Sequence, residues 1–285
     1  MKLLSDVVAM LHNVSEKTGI APELYESYAW QLLETVTQSK KAQLLANRHV
    51  VLSHDQEMWL CEAIKKLTLH EPLQYIVGEV LFLDCVIKVR QPLLIPRSET
   101  EEWVAQLIAH YKKLPLLPLR IVDIGTGTGC IAISLAKAFR GAAVIAVDVN
   151  PQALLLAQEN AHLNKVLNVE CILSDVYENT RDMTFDVIVS NPPYVRESDW
   201  LKLDPSVLEW EDKKAIVAPD EGLAIIKRIV DGARERLSVR GTLWIEIDAH
   251  QAVIVQQLFC DAGFVEVVVM QDLQGRDRVV WGRKE

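Results

Sequence analysis

This sequence predicts an α/β chain built on a mostly parallel sheet, and three observations carry that expectation. From Arg120 onward, short continuous apolar runs alternate with amphipathic stretches of helical period, the pattern of parallel strands covered on both faces by crossover helices. One run, VDIGTGTGC at 122–130, ends in a glycine-rich turn, the position where an open sheet of this kind takes its ligand. Residues 1–75 instead repeat their apolar positions only at helical spacing, as in Leu24, Tyr28 and Leu32 or Leu60, Ile64 and Leu67, which predicts a separate small helical domain.

Within that first domain, Ser53 and Gln56 form a capping-box pattern for a helix through Trp59 to Leu69. Its seven basic and nine acidic residues nearly cancel, so it reads as a protein-facing module rather than a clamp for a polyanion. A connecting region, 76–118, follows. Gly78 between apolar stretches predicts a hairpin, Ser98 with Glu101 a second capping box, and Pro115 and Pro118 the link into the next domain. The main domain, 119–285, then runs RIVDIG, a helix through CIAISLAKAF, AAVIAVDV, a helix through PQALLLAQENAHLN, VECIL and FDVIVS. After it come a helix over about 220–237, GTLWIEI, a helix near 250–262, FVEVVVM and RVVWG. The last two strands lack an intervening helix and are expected to pair as an antiparallel edge.

Composition narrows the function. A formal charge of −9 over 285 residues argues against a protein whose main work is gripping nucleic acid, because each phosphate contact requires a cation. The five cysteines and seven histidines are scattered without metal-ligand spacing, so no metal is expected. Asp6 interrupts any signal-peptide core, and no apolar run approaches membrane-spanning length. A cytoplasmic monomer with no membrane attachment is expected. The acidic runs SETEE at 98–102 and EWEDKK at 209–214 read as solvated helix charges. Trp200 and Trp210 mark the segment 195–218 as either a cover for the site or a loop packed by its own aromatics.

In the loop Gly125-Thr126-Gly127-Thr128-Gly129, glycines let the backbone turn sharply and approach a ligand. Cys130 stands where a dinucleotide fingerprint requires glycine, and no lysine is present to cradle phosphate. Asp148, at the end of the next strand, is placed to accept both hydroxyls of a ribose. Asp175 and Val176, after the following strand, are placed at the adenine end of the same ligand. Together these features fit S-adenosylmethionine. A tight structural turn and a helix-capping aspartate would be the bland alternative.

The segment VSNPPYV at 189–195 supplies a second strand end. An amide nitrogen is a poor nucleophile because its lone pair is delocalised. A methylating site must therefore orient a planar amide group, and the Asn191 side-chain oxygen and the Pro192 carbonyl can each accept one of its hydrogens. Pro193 fixes the direction of that carbonyl, and Tyr194 can stack on the planar group.

These blocks, with EPLQYIVGE, LLIPRSETE, AVDVNPQAL and GRDRVVWGR, resemble the PrmC/HemK family of class I, Rossmann-like S-adenosylmethionine-dependent methyltransferases. That family methylates the glutamine of the GGQ motif in peptide chain release factors, at the side-chain nitrogen N5. The resemblance implies cofactor contacts at Gly125 to Gly129, Asp148, Val176 and Asn191. It also implies a glutamine site at Asn191 to Tyr194, and a helical domain that recognises the release factor. Ser98 and Asp248 stand where the family usually has proline and glycine. Alternatives are a ribosomal-protein glutamine methyltransferase, an adenine-amino DNA methyltransferase, for which a basic recognition domain is missing, and a non-catalytic binding protein.

Overall fold

The computed structural model describes residues 2–14, 20–47, 50–113, 119–180 and 182–285; the proline-marked link at 115–118 and His49 lie outside them. The described chain divides into two compact units, one comprising residues up to Glu79 together with Asp204–Trp210, the other Val80–Leu203 with Glu211–Glu285.

The first unit is helical: α1 Lys2–Asn13, α2 Tyr25–Thr37, α3 Lys41–Ala46, α4 His54–Leu67 and α5 Leu73–Val77. Leu11, Ala29, Leu32, Leu33, Leu60 and Leu67 share its core. The Ser53 and Gln56 capping box forms in both directions at the start of α4, satisfying two N–H groups that the helix itself leaves unpaired. Gly78 is the left-handed residue that ends α5, not the turn of a hairpin. The hairpin lies just beyond, as β1 Glu79–Phe82 and β2 Cys85–Lys88. A short helix from the later segment, α9 Pro205–Trp210, belongs to this unit, where the Trp210 indole donates to the Leu69 carbonyl at 3.0 Å.

The second unit carries a seven-stranded sheet. Its strands are β3 Arg120–Ile124, β4 Ala143–Asp148, β5 Val169–Leu173, β6 Phe185–Ser190, β7 Leu237–Glu246, β8 Phe264–Gln271 and β9 Asp277–Lys284, in the order β5-β4-β3-β6-β7-β9-β8. All neighbours from β5 to β7 are parallel, and β9 pairs antiparallel with both β7 and β8, which is the expected edge. Alternate residues of each strand feed two cores. Ile121, Val187, Val189 and Trp244 pack with α6 (Ser98–Tyr111) and α7 (Cys130–Ala138). Val122, Ile188, Leu243 and Ile245 pack with α10 (Ala224–Arg236) and α11 (Ala252–Asp261). The helix between β4 and β5 is α8, Pro151–Leu163, capped by the Asn150 side chain rather than by Asp148.

Two charge readings are corrected. The Ser98 and Glu101 box does not form: Arg97 is the N-cap of α6 without a side-chain bond, Ser98 turns to Glu99, and Glu101 accepts the Leu83 backbone N–H at 2.7 Å. The acidic runs are not simply solvated either. Thr100 is buried inside SETEE, and Glu211 of EWEDKK is buried against Arg97, which reaches both of its carboxylate oxygens. Helical period places Thr100 on the covered face of α6, Glu211 lies in the bend after α9, and hydrogen-bond partners make the burial of both tolerable.

Candidate active site

The sheet register creates the site. Because β3 and β6 are parallel neighbours with Ile124 opposite Ser190, the residues that follow them, Gly125 and Asn191, leave the same carboxyl edge side by side. The Ser190 hydroxyl ties the two strand ends together by donating to the Ile124 carbonyl at 2.7 Å. On the other side of β6, Ser190 faces Ile245 of β7, so Glu246 also arrives at this edge. Parallel sheets place ligands there because successive loops diverge and leave a crevice.

In the glycine loop, Gly125 and Thr126 both donate to the Val147 carbonyl, and Gly127 donates to Asp148 Oδ2 at 2.9 Å. Asp148 Oδ1 accepts the Asn150 N–H at 2.8 Å. Each carboxylate oxygen thus keeps lone-pair capacity for a further donor, as a ribose diol would require. Burial pushes the Asp148 carboxyl up, opposed by its backbone donors. A Cβ at Gly127 would meet nothing within 4 Å, at φ +54, so this backbone borders open space. Gly129 differs: at φ +82 its Cβ would lie 2.9 Å from Ala157 Cβ, so it permits α7 and α8 to approach.

The loop's other residues face inward. Thr126 and Thr128 are buried, the Thr126 hydroxyl donates to Asp123 Oδ2 at 2.7 Å, and the Thr126 and Thr128 carbonyls accept from Gly129 and Asn160, so Gly127 is where the loop borders space for a ligand. Asp123 is fully buried with Oδ1 unpartnered, and desolvation raises its pKa to about 7. Asp175 is ion-paired with Arg228 at 2.8 Å, and Val176 is buried at φ +53. Glycine backbone with free space, a half-buried carboxylate at the next strand end and no facing lysine fit an uncharged nucleoside end better than a phosphate.

The Asn191 to Tyr194 segment is held from behind. Asn191 Nδ2 donates to Thr100 Oγ1 at 3.1 Å. Thr100 Oγ1 donates to Glu246 Oε2 at 2.7 Å, Trp103 Nε1 donates to the same oxygen at 2.8 Å, and the Tyr194 hydroxyl reaches Glu246 Oε1 at 3.3 Å. No described residue donates to Asn191 Oδ1 or to the Pro192 carbonyl. Burial pushes the Glu246 carboxyl up, opposed by Trp103 and Thr100, and burial with Glu246 beside it pushes the Tyr194 hydroxyl up, so the phenol remains protonated.

The Tyr194 carbonyl accepts from Gln251 Nε2 at 3.0 Å, and that amide also donates to the Glu221 carbonyl at 3.1 Å. Gly222 lies so close that a Cβ there would fall 2.0 Å from the Tyr194 oxygen. Asp248 caps the turn Ala249–Gln251, accepting the His250 N–H at 2.9 Å, while Gln251 Oε1 accepts the Asp248 N–H. The aspartate at this position therefore helps to orient Gln251. Segment 195–218 is tethered rather than free-running, with Val195 bridged to Val217 and Asp212 donating to the Pro92 carbonyl at 2.7 Å.

Sequence reasoning brought the glycine loop, Asp148 and Asn191 to one edge and missed Thr100, Trp103, Glu246, Gln251 and Gly222. A carboxylate closing the apolar strand GTLWIEI was the available signal for Glu246, since a buried acid at the ligand edge of a sheet needs partners.

Comparisons with known proteins agree with this geometry. Residues 17–78 match the PrmC N-terminal domain and residues 105–204 the Methyltransferase small domain. The release factor glutamine methyltransferase of Lactococcus lactis subsp. lactis is 43% identical over 79% of this chain and 83% of its own length. That of Flavobacterium psychrophilum is 37% identical over 90% of both chains. Among solved structures, the T. thermophilus rRNA methyltransferase RsmC, in complex with AdoMet and guanosine, matches with a TM-score of 0.54 at 18% identity, covering 73% of this chain and 50% of its own; this supports the fold.

Proposed function

Since the chain belongs to the family of release factor glutamine methyltransferases, we propose that it transfers a methyl group from S-adenosylmethionine to the side-chain nitrogen N5 of the GGQ glutamine in peptide chain release factors. One observation carries this reading. The strand register sets a glycine loop suited to a nucleoside beside Asn191 and Pro192, whose two acceptor oxygens have no donor among the described residues.

S-adenosylmethionine, when bound, supplies an electrophilic methyl carbon on a sulfonium. The loop Gly125 to Gly129 would approach it closely, Asp148 would accept its ribose hydroxyls, and Asp175 and Val176 would border its adenine. Asn191 Oδ1 and the Pro192 carbonyl each take one hydrogen of the substrate carboxamide, turning its nitrogen toward the reacting carbon and favouring charge that develops on it. Tyr194, fixed through its hydroxyl and its carbonyl, packs against the planar amide.

Orientation dominates the energetics. Alignment of two bound reactants is worth about 7–11 kcal/mol, against about 0.5–1.5 kcal/mol for one ordinary hydrogen bond. The helical unit recognises the release factor, and the second unit, into whose core the β1–β2 hairpin and α6 pack, carries the chemistry. The chain acts as a cytoplasmic monomer.

The test is methyl transfer from labelled cofactor to purified release factor, with ribosomal protein and duplex DNA as competing acceptors, followed by mass spectrometry of the peptides. One added methyl on the GGQ glutamine is expected. Label on DNA or ribosomal protein, with the release factor unmodified, contradicts the reading.

A further inference from the structure

We propose that Thr100 is a positioning residue that fixes which way the Asn191 amide faces, and that Trp103 and Glu246 set the direction of its hydroxyl. This rests on the reading above, in which Asn191 Oδ1 receives the substrate amide.

The indole N–H of Trp103 is a donor with no acceptor capacity, so Glu246 Oε2, 2.8 Å away, must act as an acceptor. Thr100 Oγ1 lies 2.7 Å from the same oxygen and, with Glu246 ionised and so acceptor-only, gives its hydrogen to it. A hydroxyl whose one hydrogen is committed can only accept from its other neighbour. That neighbour is the Asn191 amide at 3.1 Å, and only its NH2 group can donate. The oxygen is thereby turned away from Thr100, where no described residue donates to it.

The Thr100 hydroxyl keeps this direction whichever way the Tyr194 hydroxyl turns, since Tyr194 meets the other carboxylate oxygen, Oε1, at 3.3 Å. Trp103 and Glu246 are each at most 2% exposed, as is Thr100, so water does not compete for these bonds. A flipped Asn191 would present two donors to a substrate NH2 group, which has only donors to offer. The polarity relay excludes that unproductive state.

Five variants test this. Thr100→Val keeps the shape of the side chain but removes the acceptor, and kcat for release factor should fall by about tenfold or more while release-factor KM and cofactor affinity stay near those of the parent protein. Thr100→Ser should recover kcat to within about threefold, and Glu246→Gln should do likewise, because Trp103 will draw the glutamine oxygen to the position of Oε2. Should Thr100→Val fold poorly, Thr100→Ala carries the same expectation.

A kcat unchanged in Thr100→Val overturns the inference, as does a loss matched by an equal fall in cofactor affinity, which is the mark of a purely structural role. A Glu246→Gln variant as impaired as Thr100→Val also overturns it, since charge and not acceptor direction would then be at work. Asn191→Ala separates the two levels. An active Asn191→Ala contradicts the reading of the site itself, whereas an inactive one beside a fully active Thr100→Val contradicts the relay alone.

Discussion

The two loops that leave β3 and β6 start side by side, yet they solve opposite problems. The glycine loop closes its own hydrogen bonds: Gly125, Thr126, Gly127 and Gly129 all donate to Val147, Asp148 or Thr126. The segment from Asn191 to Tyr194 does the reverse at its working face, leaving the Asn191 and Pro192 oxygens without a described donor while its amide, hydroxyl and last carbonyl are held by Thr100, Glu246 and Gln251. One loop works by shape and the other by unclaimed lone pairs. An unclaimed acceptor is useful only if its direction is fixed, so the second loop needs support from three other elements.

Substitutions that move one loop and spare the other sharpen this contrast. The largest effect is expected from Gly222→Ala, whose Cβ would collide with the Tyr194 carbonyl at 2.0 Å. Displacing the acceptor segment by about 1 Å should cost about 100-fold in kcat, read by steady-state assay against release factor, with the glycine loop and cofactor affinity little changed. Gly129→Ala should act on the fold instead. The contact with Ala157 at 2.9 Å and the positive φ predict a loss of about 2 kcal/mol, visible as a lower denaturation midpoint. Gly127→Ala is the mildest for stability, costing about 1 kcal/mol for its φ alone because no atom lies within 4 Å. Its larger effect should be weaker cofactor binding, measured by calorimetry. If Gly127→Ala and Gly129→Ala behaved alike, the division of the loop into an open and a packed half would be wrong.

The sheet and both strand-end loops were legible from sequence because their signals are local. Continuous apolar strands, a glycine-rich turn and an Asn-Pro-Pro-Tyr run each fit within about ten residues. The support was not legible, since it joins residues far apart: Thr100 and Glu246 meet across 146 positions, Tyr194 and Gln251 across 57. Thr100 was hidden in a run of acids that reads as solvent-facing, and which side of α6 is covered depends on packing rather than on composition. Gly78 shows the same limit: the hairpin it signals does follow, as β1 and β2, but the glycine itself is the left-handed residue that ends a helix, a role that composition does not separate from a hairpin turn.

The central claim is that two oxygens, Asn191 Oδ1 and the Pro192 carbonyl, align the substrate amide. Single-turnover methyl transfer by Asn191→Ala to purified release factor, with cofactor affinity measured on the same preparation, tests it most directly. The expected result is a rate lowered by about 100-fold or more with the protein folded and the cofactor still bound within severalfold of the parent affinity. A rate close to that of the parent protein would contradict it.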